Sequence, residues 1–201
     1  MLRANALRSV RGSDAILCYG LAVIVAMAGL PGSGKSTIAR GLAELLPGVV
    51  VNKDEIRVRL FSGDEIDYSQ EQDAVCFKEM LRLTEESLTR QPGQCIILDG
   101  RTFSRAADLE QVENLAKRLG EGLFVIQCVC SDEAARRRIE ADVQAGRHPA
   151  ANRNYGLYLQ IKARQEPLPC AVLRLDTDLD PSTCLSLCLE YLKRGQSTGR
   201  V

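Results

Sequence analysis

A short glycine-rich segment carries the residues whose types and spacing point most directly to chemistry. Residues 29–37 read GLPGSGKST. The glycines let the backbone turn at little steric cost, so that successive N–H groups can point inward at an anion. The spacing matches the phosphate-loop pattern GxxxxGK[ST], in which Lys35 reaches the β- and γ-phosphates of a nucleoside triphosphate and Ser36 ligates Mg²⁺. The residues expected to bind the nucleotide are Gly29, Gly32, Ser33, Gly34, Lys35, Ser36 and Thr37.

Two acidic residues follow apolar runs that we interpret as strands. Asp99 ends the run CIIL, where phosphate-loop proteins place the carboxylate of the magnesium shell, so we predict Ser36 and Asp99 as metal ligands. Asp54 follows the short run 49–51. Because the carboxyl ends of parallel strands share one edge of a sheet, both acids should face the cleft of Lys35. Asp54 can then take the proton of an acceptor hydroxyl, although either acid can instead cap a helix or a turn.

Arginines can supply positive charge on both sides of such a cleft. Arg57 lies one helical turn after Asp54 and can hold an anionic acceptor, while Arg101 and Arg105 follow Asp99 closely enough to line the acceptor pocket. Other arginines flank a polar segment that can fold over a bound nucleotide and stabilise charge in the transition state. These are Arg136, Arg137, Arg138, Arg147 and Arg153. A solvated helix face is the alternative for each of them.

The segments around these residues alternate between strand and helix, which predicts an α/β fold with a mostly parallel sheet. The expected strands are 21–28, 49–51, 95–98, 123–130 and 171–175. The expected helices are 36–46, 69–90, 105–119, 132–145, 155–165, and a closing helix capped by Asp180 that ends before Gly195. The glycine-rich segment therefore lies between a buried strand and an amphipathic helix, which is the context that a phosphate loop requires.

The overall composition excludes some classes of protein. The chain has 201 residues and a formal net charge of zero, which argues against a protein that mainly coats nucleic acid. Its eight cysteines lie in an aliphatic chain and are expected to be reduced. No run reaches the ~18 apolar residues that cross a bilayer, so no membrane partner is expected.

The N-terminal residues have the outline of a targeting sequence. Arginines before residue 15 and the apolar run after it suggest a secretory signal, but cleavage after Ala28 would remove the strand that supports the glycine-rich segment. We therefore expect residues 21–28 to be a core strand. A transit peptide in residues 1–13 stays open, because that stretch contains arginines and no acidic residue.

Several motifs together resemble one group of enzymes. GLPGSGKST, NKDEIR, IILDG followed by TFSR, and the Arg-rich segment before YGLYLQIKARQEPLP resemble the small P-loop kinases of the polynucleotide kinase, zeta-toxin and gluconate kinase group. The resemblance covers residues 21–194, with an extension at 1–20 and a frayed tail at 195–201. It implies a P-loop NTPase fold, with a five-stranded parallel sheet flanked by helices and an Arg-rich lid. It also implies ATP and Mg²⁺ as cofactors and phosphoryl transfer to a hydroxyl.

The resemblance assigns roles by position. Asp54 matches the general base, Arg57 the acceptor-side arginine, Asp99 the acid after the third strand and Arg138 a lid arginine, so the expected catalytic residues are Lys35, Asp54 and Arg138. The chain departs from the pattern of this group at two positions that bear on the assigned roles. Zeta-toxin relatives carry Glu where Asp99 stands. Many relatives have a second lid arginine where this chain has Asp142, a role that Arg147 or Arg153 can take instead.

The sequence thus predicts a cytoplasmic, Mg-ATP-dependent kinase that acts on a hydroxyl of a small molecule. A polynucleotide 5′-hydroxyl kinase is the nearest alternative, because a nucleic-acid end needs only a small basic cleft. A regulatory ATP-binding module that signals through a partner is the alternative from another class. A GTPase is disfavoured, since Glu55 stands where the guanine-reading motif NKxD requires Asp.

Overall fold

A parallel sheet forms the centre of the protein. The computed structural model describes residues 23–46, 48–145, 154–168 and 171–197. Within these residues, five strands are arranged in the order β2-β3-β1-β4-β5, and all neighbouring pairs are parallel. The strands are β1 (Val23–Ala28), β2 (Gly48–Asn52), β3 (Cys95–Asp99), β4 (Gly122–Val129) and β5 (Leu173–Asp176). The predicted α/β fold with a five-stranded parallel sheet is confirmed.

The central strand β1 is apolar throughout because both faces of the sheet are covered. All six of its residues are buried. Since side chains alternate along a strand, Val25 and its alternate neighbours pack into one core layer, and Ala26 and its neighbours pack into the other. A continuous apolar run is therefore what a strand buried on both faces requires. The interpretation of the run as a core strand rather than a cleaved signal agrees with this position.

Helices cover both faces of the sheet. They are α1 (Lys35–Leu45), α2 (Lys53–Leu60), α3 (Gln70–Arg90), α4 (Ala106–Leu119), α5 (Asp132–Gln144), α6 (Tyr155–Ala163) and α7 (Pro181–Ser197). Helices α1 and α7 pack on one face through residues such as Leu42 and Leu189. Helices α2, α3 and α4 pack on the other through residues such as Met80 and Val112. Helix α6 packs on α5, where Tyr158 and Ile139 are both buried.

Helix ends can be compared with the ends that the local sequence predicts, and two of those expectations need correction. Ser69 caps α3 by accepting the N–H of Gln72 at 3.1 Å, as its position predicts. Asn52, not Asp54, caps α2, which overturns capping as the role of Asp54. The closing helix α7 also continues past Gly195 to Ser197. Gly195 does not end this helix, because a Cβ there would lie 2.3 Å from Cε1 of Phe124 and the glycine allows the helix to pack on that ring.

Several expectations fall outside the described residues. The extension at 1–20, the proposed transit peptide, Arg147, Arg153 and the last four residues of the tail are all among them. Of the described cysteines, six are free thiols, and all but Cys130 are buried. No helix in the described part of the chain is long and apolar enough to cross a membrane.

Candidate active site

The glycine-rich loop after β1 has a backbone that requires its glycines. Gly29, Gly32 and Gly34 have φ angles of 137°, 76° and 84°, in the region that L side chains rarely adopt. A Cβ on Gly29 would lie 2.4 Å from the carbonyl oxygen of Cys128 at the end of β4. The loop is therefore folded tightly against the sheet edge at this point.

The loop leads directly into the positive end of a helix. Gly34 is the N-cap of α1 and has no side chain with which to bind the N–H groups of the first turn. That turn reads Lys-Ser-Thr, without an acidic side chain that would neutralise the helix dipole. An N-terminus of this kind is suited to binding an anion such as a phosphate group.

Lys35 lies folded over the same loop. Its Nζ donates hydrogen bonds to the carbonyl oxygens of Gly29 and Leu30 at 2.9 and 2.8 Å. The residue is 8% exposed, so the ammonium group is held near the loop rather than in solvent. Ser36 and Thr37, the next two residues, line the adjacent cleft.

Asp99 lies at the end of β3, behind the surface of the cleft. It is paired in register with Asn52 of β2, whose Nδ2 donates to Asp99 Oδ2 at 2.8 Å. Asp99 is 1% exposed, and its Oδ1 has no hydrogen-bond partner among the described residues. A buried carboxylate oxygen without a donor is costly. Carboxylate and hydroxyl oxygens, such as those of Asp99 and Ser36, are the hard donors that suit Mg²⁺ and its bound water.

Asp54 is set in the first turn of α2, at the same edge of the sheet. The side chain of Asn52 accepts the N–H groups of Asp54 and Glu55 at 2.8 and 3.2 Å and so fixes the start of the helix. Gly100, which follows β3, allows this start to pack closely, since a Cβ on it would lie 2.9 Å from the backbone nitrogen of Lys53. Asp54 is half-buried and lines the cleft.

One cleft joins these groups. Its volume is about 2010 Å³, and it is lined by Lys35 and Ser36 from the loop and by Asp54 from α2. The predicted acceptor-side residues Arg57, Arg101 and Arg105 and the predicted nucleotide-side residue Arg138 also line it. Gly29, Ser33 and Asp99 do not reach its surface. The structure thus gathers at one edge of the sheet residues that are far apart in the sequence.

The wall of the cleft that carries Arg57 and Arg101 is organised around Asp73 of α3, which sequence reasoning missed. Its Oδ1 accepts from Arg57 at 2.7 Å and from Lys53, and its Oδ2 accepts from Arg101 at 2.8 Å. Burial alone raises the pKa of the Asp73 carboxyl, but the charges of Lys53, Arg101 and Arg57 outweigh it and hold the pKa below its usual value. Asp73 is therefore ionised at neutral pH.

Aromatic rings fix the two buried arginines of this wall. The guanidinium of Arg57 lies 5.0 Å from the ring centre of Tyr68, and that of Arg101 lies 4.0 Å from the ring centre of Phe77. The second hydrogen bond of Arg101 goes to Asp108 at 2.8 Å, and the exposed Arg105 approaches the same carboxylate at 3.4 Å. The arginines are thus held in place without a ligand.

Among the arginines of its group that the structure describes, Arg138 lies against the phosphate loop. Its guanidinium donates to the carbonyl of Gly32 at 3.4 Å and to the hydroxyl and carbonyl oxygens of Thr177 at 3.1 and 2.7 Å. Arg136 points elsewhere, to Glu140 on the same helix at 2.8 Å. Arg137 lines a separate surface depression of about 210 Å³ beside Ser131.

The sequence gives only weak indications that Thr177 and Asp73 belong to the site. Thr177 follows β5, and the rule that gathers the carboxyl ends of parallel strands applies to it as it does to Asp54. Asp73 lies in the first turn of a helix, where acidic residues are common because of the helix dipole. The sequence pattern does not show that Asp73 binds cations from two other segments.

The fold and this loop define a P-loop protein, and comparison with known proteins agrees. Residues 24–168 match the family described as AAA domain, and the chain belongs to this family. An uncharacterized protein of Mycobacterium tuberculosis is 33% identical over an alignment of 107 residues, with 48% of this chain and 21% of that protein covered. The matched part thus spans about a fifth of that relative's length. A Mycobacterium bovis protein matches to the same extent.

Three solved structures share the fold. A gluconokinase from Sinorhizobium meliloti has a TM-score of 0.63 at 13% identity and covers 86% of this chain and 92% of its own. The APS kinase of Mycobacterium tuberculosis, in complex with AMPPNP and APS, has a TM-score of 0.58 at 20% identity, covering 85% and 97%. Kti12 from Chaetomium thermophilum, in complex with ADP-AlF3, has a TM-score of 0.61 at 20% identity, also covering 85% and 97%.

Proposed function

We propose that the protein is a kinase that transfers the γ-phosphoryl group of ATP, in the presence of Mg²⁺, to a hydroxyl group of a small molecule. The observation that carries the proposal is the position of Asp54, in the first turn of α2, on the same cleft as Lys35 and Ser36 of the phosphate loop. A hydrolase needs only a water site at the loop. A second wall with its own carboxylate and fixed arginines provides a place for an acceptor.

Different residues of the chain have different roles in this reaction. The loop amides and the start of α1 bind phosphate oxygens, and Lys35 exchanges its bonds to the loop carbonyls for bonds to those oxygens. Ser36 and the buried carboxylate of Asp99 are the residues that would hold Mg²⁺ and its bound water. When bound, this ion neutralises charge on the phosphates. Asp54 takes the proton of the acceptor hydroxyl.

Arg138 supplies positive charge on the nucleotide side of the cleft. Its bonds to Gly32 and Thr177 place the guanidinium beside the loop before any ligand is bound. A positive group close to the transferred phosphoryl stabilises the charge of the transition state. Arg57, Arg101 and Arg105 then contact the acceptor from the opposite wall. These roles follow the resemblance and the shared cleft.

Two features favour a small acceptor. Two of the structures with this fold are named for the small molecules gluconate and APS. The formal net charge of the chain is zero, whereas proteins that track a nucleic-acid backbone usually present a basic stripe. A 5′-hydroxyl oligonucleotide therefore belongs in the acceptor panel as the competing substrate.

Replacing Lys35 tests the nucleotide site. Lys35→Ala should reduce phosphoryl transfer at least ~100-fold, because it removes a charge that faces the phosphates. The measurement follows transfer from radiolabelled ATP to a panel of sugars, polyols, antibiotics and oligonucleotides. Arg40→Ala, on the same helix, is the matched control for a nearby positive charge. Near-normal turnover in Lys35→Ala would show that the loop is not the catalytic site.

Replacing Asp54 separates chemistry from binding. Asp54→Asn keeps the shape of the side chain but cannot accept the hydroxyl proton, so turnover should fall by ~100-fold or more while ATP affinity changes less than about threefold. Glu55→Gln, the exposed neighbour, is the control and should retain turnover. A loss of ATP affinity in Asp54→Asn would instead assign Asp54 to the metal shell.

Nucleotide hydrolysis without an acceptor is the second candidate. Kti12, whose structure contains ADP-AlF3, has this fold. If the protein consumes ATP at the same rate with and without every acceptor, and only a protein partner changes that rate, the regulatory ATPase is the better assignment.

A further inference from the structure

The side chain of Asn52 contacts two parts of the site at once. Asn52 is the last residue of β2 and is paired in register with Asp99, the last residue of β3. Its Oδ1 accepts the N–H groups of Asp54 and Glu55 at 2.8 and 3.2 Å. Its Nδ2 donates to Oδ2 of Asp99 at 2.8 Å. One amide group therefore joins the start of the helix that carries Asp54 to the buried carboxylate of Asp99.

Capping alone does not explain why this residue is an asparagine. Aspartate and serine cap helices about as well as asparagine, because each has a side-chain oxygen that accepts the N–H groups. The bond to Asp99 requires a donor as well, and an ionised aspartate has none. An aspartate at this position would also place a second carboxylate against Asp99, which is 1% exposed and poorly screened. The amide nitrogen therefore has a role separate from capping.

The bond from Asn52 restricts the orientation of the Asp99 carboxylate. Oδ2 of Asp99 accepts from the amide, whereas its Oδ1 is buried and has no partner among the described residues. The amide cannot turn away without losing its bonds to the backbone of α2. Asn52 therefore determines which oxygen of Asp99 stays available to a ligand.

The backbone after β3 leaves room for this contact. Gly100 follows Asp99, and a Cβ on it would lie 3.1 Å from Oδ1 of Asn52 and 3.2 Å from the backbone nitrogen of Asp54. A side chain at position 100 would push the amide and the start of α2 away from β3. The short distance between the two strand ends is thus part of the arrangement.

We propose that Asn52 is a positioning residue that fixes the carboxylate of Asp99 relative to the helix that carries Asp54. This rests on the proposed kinase function, in which Asp99 serves the magnesium side and Asp54 takes the acceptor proton. Asn52 acts through these two acids. Loss of its donor group should leave α2 folded while the carboxylate of Asp99 turns more freely.

Asn52→Ser tests the donor separately from the cap. The serine oxygen can still accept the N–H groups of α2, but it has no amide nitrogen for Asp99. Calorimetry on the full-length protein measures AMPPNP affinity with and without Mg²⁺. The affinity without Mg²⁺ should stay within about twofold of wild type, whereas the gain in affinity on adding Mg²⁺ should fall about tenfold. Phosphoryl transfer should fall to a similar extent.

Two further variants separate positioning from folding. Asn52→Asp keeps a strong cap but opposes Asp99, so it should lose the Mg²⁺-dependent gain in affinity while the Asp54 amide stays protected from hydrogen exchange. Asp180→Asn is the matched control, because it exchanges the same two residue types at the start of α7, where Asp180 accepts the N–H of Thr183 at 3.0 Å. The control should match wild type in binding and transfer.

A second background shows whether Asn52 acts through Asp99. In Asp99→Ala, adding Asn52→Ser should change the Mg²⁺-dependent gain less than about twofold, because the partner is already gone. A tenfold fall in that background, or a wild-type gain in both Asn52→Ser and Asn52→Asp, would overturn the proposal. If no acceptor is phosphorylated, the kinase proposal fails. The AMPPNP measurements still test Asn52 in that case, because they need no acceptor.

Discussion

Thr177 shows how a single hydroxyl group can join distant parts of the site. Its Oγ1 lies 2.9 Å from the carbonyl of Ser33, which is 144 residues away in the sequence, and accepts from Arg138 at 3.1 Å. Its side chain also packs against Gly34, where an added Cβ would lie 3.3 Å from it. The residue thus supports the phosphate loop and the arginine beside it at the same time.

Removing this hydroxyl should weaken nucleotide binding without changing the volume of the core. Thr177→Val leaves the carbonyl of Ser33 and the guanidinium of Arg138 each short of a partner, so the affinity for AMPPNP should fall about fivefold to tenfold, or about 1–1.4 kcal/mol. Thr177→Ser keeps the hydroxyl and should restore the affinity, as measured by calorimetry. Equal affinities in all three proteins would show that the Thr177 hydroxyl does not position the loop.

Helices α2 and α3 are connected by ion pairs as well as by apolar contacts. Asp73 on α3 binds Lys53 and Arg57 on α2 and also Arg101, which follows β3. The first turn of α2 carries Asp54, so the same contacts that join the helices also set the position of the proposed base. The cost of losing Asp73 is therefore both structural and functional.

Asp73 should make stability depend on pH at the acidic end. Its pKa in the folded protein is lowered, so its contribution is fully present above the unfolded value near ~3.9 and is lost as the pH falls through the folded value. Asp73→Asn should lower the free energy of unfolding at pH 7 by about 1–3 kcal/mol. At pH 2–3, where the wild-type carboxyl becomes protonated, the difference in unfolding free energy between wild type and variant should be smaller. Urea denaturation at both pH values measures this.

A surface acid on the same helix provides the comparison for Asp73. Glu86 pairs with Arg82 and Arg90 on the exposed side of α3. Glu86→Gln should change the free energy of unfolding by less than about 0.5 kcal/mol. An equal effect of the two substitutions would mean that the Asp73 contacts contribute no more than an ordinary surface ion pair.

Across the whole molecule, two apolar layers enclose the sheet, and the cysteines lie within them. Cys188 and Cys128 belong to the layer under α1 and α7, while Cys76 belongs to the other. Burial raises the pKa of the Cys128 thiol to about 12 and also raises that of Cys188 and Cys76. These thiols are protonated and shielded in the folded protein, so they report on the integrity of both layers.

Thiol labelling should therefore follow global unfolding. At pH 8 the folded protein should label Cys128 and Cys188 at least ~100-fold more slowly than the urea-unfolded chain, because the thiolate is the reactive form and both residues are buried. Peptide mass spectrometry after timed alkylation identifies each site. Cys130, which is partly exposed, is the internal control and should react faster. Rapid labelling of Cys128 in folded protein would contradict the packing described here.

The sequence by itself determined the features that depend on local pattern. The run around Val25 is apolar because that strand is buried on both faces, and the loop glycines are required by backbone conformation. The same-edge rule for parallel strands predicted that Asp54 and Asp99 both face the cleft of Lys35; Asp54 lines it, whereas Asp99 is buried behind its surface. The residue pattern left open which arginine lies at the loop, since Arg136 and Arg138 differ in sequence by only two positions, and only the family resemblance favoured Arg138.

Only the tertiary structure decided the side-chain partnerships. A helix turns by about 100° per residue, so the orientation of α5 sets Arg138 against Thr177 and directs Arg136 to Glu140. Asp73 and Arg101 are 28 residues apart and meet because α3 packs beside the end of β3. Such contacts depend on how separate elements pack together, and a local sequence pattern carries no record of that packing.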